Sequence, residues 1–217
     1  LGLGVVVSFF LIGYFGMWDN TMRTMSIILV CTLMAIALGV PIGILMARSD
    51  RTQSIVTPVL DVMQTMPAFV YLIPVVMLLG IGKIPGVIAV IIYAIPPVIR
   101  LTNLGIRLVD KDVLEAATAY GANPMQRLLG VQLPLAMPTI MAGINQTIMM
   151  ALSMVVIASM IGVKGLGQPV LKSITNQYFT LGLLNGLAIV ALAIIFDRVS
   201  QAYAKRAQRH MEGLDHG

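Results

Sequence analysis

Long runs without a single charged residue alternate with short charged clusters along this 217-residue chain. The uncharged runs are 1–18, 24–47, 62–82, 84–99, 128–163 and 173–196. A helix needs roughly 20 apolar residues to cross the hydrocarbon core of a bilayer. Only 11% of the residues are charged, whereas soluble domains carry about 25%. The pattern excludes an ordinary soluble domain and predicts an all-α, polytopic membrane helical bundle.

Six membrane spans are predicted from these runs. Arg100 is accommodated within the fourth span because a long cationic side chain can snorkel to the interface. Pro134 and Pro138 delay the start of the fifth span because proline disrupts the helix interior. The first span ends in a cluster of aromatic residues, which is typical of a membrane interface. The predicted spans are 1–18, 24–47, 58–80, 85–106, 135–161 and 179–199.

The distribution of Lys and Arg predicts the orientation of these spans. With both termini in the cytoplasm, ten cations face inward and four face outward, which is the bias of the positive-inside rule. The net charge of +5 then reflects topology and gives no reason to invoke nucleic acid. The inner cations are Arg48, Arg51, Arg100, Arg107, Lys111, Arg127, Arg198, Lys205, Arg206 and Arg209; the outer ones are Arg23, Lys83, Lys164 and Lys172.

The sequence offers few residues for catalysis or metal binding. Cys31 is the single cysteine, which excludes an internal disulfide framework and a multi-cysteine metal site. Both histidines, His210 and His216, lie in the C-terminal tail. No Gly-rich loop ends in Gly-Lys-Ser or Gly-Lys-Thr, so no nucleotide-binding motif is predicted. The glycine-rich segment 162–167 is interpreted as a turn on the outer face, with a docking surface for a binding protein as the alternative.

The segment 107–134 is long for a connection between packed helices and carries helix signals. Asp112 is a candidate N-cap, with Glu115 three residues later as in a capping box. Gly121 is suited to end this first helix and to form a kinked joint with Ala122.

A second short helix is predicted over 125–132. Asn123 is a good N-cap, and Pro124 suits the first helical position. Pro134 is expected to end this helix. From the residues alone, the helix pair either braces the bundle at the membrane surface or docks a cytosolic partner.

The spacing within this segment resembles the EAA motif of ABC-importer permeases. That motif is Glu-Ala-Ala, three residues, Gly, nine residues, Ile, one residue and Leu-Pro. Here Val131 occupies the isoleucine position, and the other motif residues are Glu115, Ala116, Ala117, Gly121, Leu133 and Pro134. The runs 58–72, 96–100 and 132–146 also resemble the permease of osmoprotectant importers of the glycine betaine/proline type. This likeness extends from about Met22 to Ala202.

The resemblance implies the type I ABC importer permease fold, with about six transmembrane helices and a cytoplasmic coupling helix. It implies a first span at 1–21, a permease core at 22–203 with the coupling segment at 107–134, and a basic cytoplasmic tail at 204–217. It places the chain in the bacterial inner membrane, with two ATP-binding subunits, a second permease copy and an external substrate-binding protein. ATP and Mg are expected on the ATPase, to which Glu115, Ala116, Ala117, Gly121, Leu133 and Pro134 would couple.

Polar residues within spans are candidates for the translocation pathway, because such residues usually face the bundle interior. The alternative is that they hold the helices together by hydrogen bonding and packing. Asp61 is hypothesised to hold or gate the inner half of the pathway, and Pro67 and Pro74 predict kinks near a gate. The candidates are Asp61, Gln64, Thr65, Pro67, Asn145, Gln146, Met149 and Ser153.

The cargo is less constrained than the fold. Quaternary ammonium groups are commonly held in aromatic cages, and only 6% of this chain is aromatic. We therefore expect the binding protein to select the cargo and this subunit to offer a weakly binding passage. The alternatives are an importer for choline, carnitine, an amino acid or a metal chelate, a secondary transporter or channel, and a non-transporting scaffold. Secondary transporters often contain paired broken helices in two related halves, and no such duplication is evident.

Overall fold

The computed structural model describes the backbone of residues 2–212 and the side chains of residues 4–203. The side chains of the basic tail 204–217, including both histidines, lie outside the described residues. Residues 2–212 form helices and turns with no strand. The α-helices are α1 Gly2–Tyr14, α2 Trp18–Arg48, α3 Asp50–Thr65, α4 Leu72–Leu79, α5 Lys83–Ala94, α6 Pro96–Arg107, α7 Lys111–Ala119, α8 Pro124–Arg127, α9 Leu133–Ala158, α10 Gly167–Asn176 and α11 Phe179–Glu212.

Helix α9 lies at the centre of the bundle and packs against α2, α5, α6, α10 and α11. Helix α6 fits between α2 and α9 because glycines permit close approach. A Cβ atom at Gly43 would lie 2.8 Å from the carbonyl oxygen of Ile99, and one at Gly143 would lie 3.2 Å from that of Pro97. Close backbone approach at small residues is a common basis of helix association in membranes, where lipid is as apolar as leucine.

Within residues 2–212, four helical segments are long and apolar enough to cross a membrane, and they match the second, fourth, fifth and sixth predicted spans. The fourth predicted span corresponds to one segment, although its two halves, α5 and α6, meet at the proline pair that begins α6. The segment that matches the fifth predicted span also includes α8 and the residues that follow it. The four segments are Trp18–Arg48, Lys83–Arg107, Pro124–Ile161 and Phe179–Tyr203.

The third predicted span, 58–80, is not one straight helix. Helix α3 is followed by the helical stretch Ala68–Leu79 at an angle of 113°. The break falls at Met66, which is extended because the following Pro67 disfavours the helical conformation. A kink at Pro67 was predicted, but Pro74 produces no break because it lies in the first turn of α4, where its missing N–H is tolerated.

The ends of two predicted spans also differ from the structure. Helix α3 begins at Asp50, ahead of the predicted start at residue 58, because the Ser49 hydroxyl caps it by accepting a bond from the Thr52 N–H at 3.3 Å. Within the first predicted span, α1 has 13 residues. At 1.5 Å per residue this helix is about 20 Å long, which is shorter than the roughly 30 Å hydrocarbon core.

Candidate functional site

The coupling segment begins with α7, whose two ends are fixed by local hydrogen bonds. The Asp110 carboxylate accepts a bond from the Asp112 N–H at 2.9 Å, so Asp110 is the N-cap and the prediction of Asp112 was wrong by two residues. At the other end, Gly121 has φ +81°. The Ala122 and Gly121 N–H groups donate to the carbonyls of Ala117 and Thr118 at 3.0 and 2.9 Å, which is a Schellman motif.

The joint leads directly into a second capped helix, α8. The Asn123 side chain accepts bonds from two backbone N–H groups, and the Gln126 side chain accepts one from the Asn123 N–H at 2.9 Å. This completes a capping box that the sequence analysis had not identified, although Asn123 and Pro124 occupy their predicted positions. The Arg127 guanidinium donates to the Thr118 hydroxyl at 3.3 Å and so links α8 back to α7. Local bonds therefore fix the angle between the two helices.

Helix α7 projects from the bundle, since none of its residues is buried. Glu115 and Ala116 are exposed, and Ala117 is half-buried. Tyr120, at the end of the helix, is 94% exposed. An isolated helix of nine residues is marginal in water, so its caps and the contact with α8 stabilise it in place of a buried face. The result is a short, fixed helix with its small side chains available to a partner.

The second short helix does not end at Pro134, contrary to prediction. Helix α8 continues through the π-helical turn Leu128–Gln132 into α9, which begins at Leu133. The Leu133 N–H donates to the carbonyl oxygen of Leu128, five residues earlier in the chain. We attribute the tolerance of Pro134 to this turn, because a π-type register relaxes the need for the hydrogen bond that proline cannot make. The coupling segment is thus continuous with the central membrane helix.

The predicted pathway residues of the third span lie on both sides of the break at Met66. Asp61 forms an ion pair with Arg100 of α6, while Gln64, Thr65 and Pro67 are exposed. The Tyr71 hydroxyl donates to the Met63 carbonyl across the break. Leu60 is the one buried residue of α3, with the half-buried Val56 and Met63 packed beside it, so polar contacts add to a small apolar attachment.

A second ion pair joins the same two helices. Asp50 contacts Arg107 of α6 at 2.7 Å. Arg107 also donates to the Met46 carbonyl at 2.9 Å and to the Asn103 side chain at 3.0 Å. The sequence analysis treated both arginines as interfacial cations, and no local signal connects them with acids about forty or more residues earlier in the chain.

The predicted pathway residues of the fifth span lie in different environments. The Asn145 amide donates to the Asp197 carboxylate of α11 at 3.0 Å, so it links two helices. Met149 is half-buried and Ser153 is exposed. Asp197 also accepts bonds from Gln201 at 2.8 Å. The sequence analysis did not consider Asp197, although it lies within the predicted sixth span.

One face of α9 remains exposed along the depth of the bundle. This face, called the α9 stripe below, carries the polar residues Gln146 and Ser153. A primary amide facing lipid costs several kcal/mol because no partner there satisfies it. The α9 stripe is therefore suited to a water-filled pathway or a protein contact. It consists of Leu135, Ala142, Gln146 and Ser153, and the exposed Met160 of the following turn continues it.

Residues 39–209 match the family of binding-protein-dependent transport system inner membrane components. The chain belongs to this family. The glycine betaine/proline betaine transport system permease protein ProW of Escherichia coli is 55% identical to this chain over 205 residues, which are 94% of this chain and 58% of ProW. The glycine betaine/carnitine transport permease protein GbuB of Listeria monocytogenes is 52% identical over 94% of this chain and 72% of that protein.

The chain thus spans little more than half of the ProW proteins that it matches, since the ProW of Salmonella typhimurium is covered to 58% as well. Solved structures agree on the fold. The methionine ABC transporter MetNI in inward-facing conformations superimposes with a TM-score of 0.79 at 19% identity, covering 87% of this chain and 94% of that one. A chain of an amino acid ABC transporter gives 0.67 at 23% identity, covering 88% and 97%. The all-helical permease fold predicted from the sequence is confirmed.

Proposed function

We propose that the chain is the membrane-spanning subunit of an ATP-driven importer for quaternary ammonium osmoprotectants of the glycine betaine/proline betaine type. The observation that carries this proposal is the fixed helix α7, which projects without a buried face and continues through α8 into the central helix α9. Such an element transmits the closure of a separate ATPase to the bundle as a rigid lever. Glu115, Ala116, Ala117, Gly121, Leu133 and Pro134 are its proposed coupling residues.

The proposed assembly contains two permease copies, two ATP-binding subunits and an external substrate-binding protein. Both termini lie in the cytoplasm, as the distribution of cations favours. ATP and Mg bind to the ATPase subunits, and the permease carries no catalytic role. The family description supports the binding protein as a partner, and the projecting α7 supports a cytosolic partner.

The names of the relatives support the cargo class. ProW and GbuB are both named for glycine betaine, paired with proline betaine or carnitine. Other relatives at 31–32% identity are named for carnitine and choline. These cargoes share a quaternary ammonium group, and the higher identities favour the betaines.

Uptake by purified components tests this function. The permease is reconstituted in vesicles with an ATPase and a betaine-binding protein of the same system, and labelled glycine betaine is supplied outside. We expect accumulation that requires internal ATP and the binding protein, with no accumulation of labelled methionine. Accumulation without the ATPase would establish a secondary transporter or channel instead.

We further propose that the α9 stripe lines the translocation pathway, through Gln146 and Ser153, together with the half-buried Met149. Asn145 acts beside them by holding α9 against α11 through Asp197. On α3, we propose that Asp61 gates the inner half of the pathway, with Gln64, Thr65 and Pro67 around it. Weakly polar groups suit a passage that must release its cargo.

Labelling of introduced cysteines tests the pathway. Gln146→Cys and Ser153→Cys are expected to react with a water-soluble maleimide in the assembled importer, because an aqueous passage reaches them. Ala151→Cys on the same helix is the control, since Ala151 is fully buried, as is the native Cys31. If the two stripe cysteines react only with an apolar maleimide, the stripe faces lipid and the assignment fails.

A further inference from the structure

A cavity of about 550 Å³ opens at the end of the bundle away from the coupling segment. It lies between the start of α2, the start of α5 and the turn that follows α9, and Arg23, Lys83, Gly162 and Lys164 are among its lining residues. We call it the outer basic cavity. Helix α9 separates it from the coupling segment by 26 residues, or about 39 Å at 1.5 Å per residue. The cavity is therefore on the outer side when α7 is in the cytoplasm.

Two contacts fix the walls of this cavity. The Leu166 N–H donates to the buried Thr24 hydroxyl at 2.9 Å, which attaches the turn after α9 to α2 beside Arg23. Gly162 adopts φ +93°, and a Cβ atom there would lie 3.5 Å from Ile81, so this turn also contacts the loop that leads into Lys83. The three cations are thus held on elements that are fixed relative to one another.

The charge of the outer basic cavity is not neutralised from within. Three of the four outward cations of the sequence line it. Arg23 pairs with Asp19 at 2.7 Å, but Lys83 and Lys164 form no ion pair with any side chain in residues 4–203. The electrostatic field of two unpaired ammonium groups in a concave site favours the binding of an anionic group.

The start of α5 adds to this positive potential. Lys83 is the first residue of α5, where a cation opposes the helix dipole. No acidic residue occupies the first turn, and no side chain caps it. Pro85 has no N–H and the Gly86 N–H donates to the Gly82 carbonyl at 3.2 Å, so the N–H groups of Lys83 and Ile84 are the ones that remain for an anion. The unfavourable placement of Lys83 is offset if a carboxylate binds there.

We propose that the outer basic cavity is the docking site for acidic side chains of the extracytoplasmic binding protein. This inference rests on the proposed function. The family depends on a binding protein, and this cavity places fixed, unpaired cations on the face that such a protein must reach. Charge pairs at a solvent-facing surface mainly accelerate encounter and select the partner. Aspartate and glutamate side chains of the binding protein are the groups that complement Lys83 and Lys164.

Stimulation of the ATPase by the binding protein tests the docking site in nanodisc-reconstituted importer. The double variant Lys83→Glu/Lys164→Glu is expected to raise the half-stimulating concentration of binding protein by about fivefold. Lys83→Arg/Lys164→Arg keeps the charge and is expected to stay within about twofold of wild type. Lys172→Glu is the matched control, because this outward lysine lies outside the cavity. Raising the salt concentration is expected to weaken stimulation of wild type more than of the double Glu variant.

Zero-length cross-linking gives an independent measurement. A carbodiimide joins an amine to a carboxylate in direct contact by forming an amide bond with loss of water. With purified binding protein, we expect peptides in which Lys83 or Lys164 is joined to an Asp or Glu of that protein, and none from Lys172. Cross-links confined to Lys172 would overturn the assignment.

Three other outcomes distinguish docking of the binding protein from binding of a lipid headgroup and from failure of the proposed function. Equal half-stimulating concentrations for wild type and the double Glu variant would overturn the docking site while leaving the proposed function intact. An effect that disappears in nanodiscs of purely zwitterionic lipid would assign the cavity to an anionic headgroup and would also overturn it. Failure of the binding protein to stimulate wild-type importer at all would overturn the proposed function together with the docking site.

Discussion

Gly121→Val is expected to reduce ATP-driven betaine uptake at least about tenfold while the protein still inserts in the membrane. Gly121 lies in the left-handed region at φ +81°, which costs an L-residue roughly 1–2 kcal/mol, and a β-branched side chain is the least compatible with it. A free-energy cost of about 1.4 kcal/mol corresponds to a tenfold change in an equilibrium constant. The variant therefore releases the fixed angle between α7 and α8.

Gly121→Asn is the matched control because asparagine tolerates the left-handed region better than other L-residues. A Cβ atom at position 121 has no neighbour within 4 Å, so side-chain volume alone does not perturb the fold. We expect the Asn variant to keep most of the uptake rate. Uptake and coupled ATP hydrolysis are measured in vesicles containing equal amounts of each variant. Equal loss in both variants would show that conformation at Gly121 is not what couples the ATPase.

Asp61→Arg is expected to reduce uptake by about tenfold. The ion pair between Asp61 and Arg100 connects α3 to α6, and α3 buries only Leu60 among its residues. The substitution places two guanidinium groups opposite each other at this contact, and like charges in contact carry a free-energy cost. The exposure of both partners reduces this cost. The expected consequence is displacement of the broken span from α6.

The charge-swapped variant Asp61→Arg/Arg100→Asp distinguishes pairing from a simple need for an acid at position 61. We expect it to recover about half of the wild-type uptake rate. Asp50→Arg is the control on the same helix, since its partner Arg107 retains bonds to Met46 and Asn103, and a loss of no more than about twofold is expected. If the swapped variant is as inactive as Asp61→Arg, pairing with Arg100 is not the role of Asp61.

The coupling segment shows how far local signals reach. Gly121 and Asn123 were placed correctly because each position is defined by bonds within a few residues. Asp110 and Asp112 are both good N-caps, and local propensity did not distinguish them. The continuity through Pro134 depends on a π-helical turn, which no residue preference encodes.

The pathway candidates show a different limit. Neighbouring residues on a helix point about 100° apart, so Asn145 contacts α11 while Gln146 is exposed. Which of the two faces the pathway depends on where α11 packs. The same reasoning applies to Arg100, whose acidic partner lies 39 positions earlier in the chain.

The sequence by itself determined the membrane environment, four of the spans and the residues of the coupling joint. These follow from the cost of burying charge in lipid and from hydrogen bonds between near neighbours, both of which act locally along the chain. Only the tertiary structure decided the ion pairs between α3 and α6, the exposed stripe of α9 and the cavity that gathers Lys83 and Lys164. Each of these depends on contacts between distant segments, and many arrangements of helix packing are compatible with the same apolar pattern.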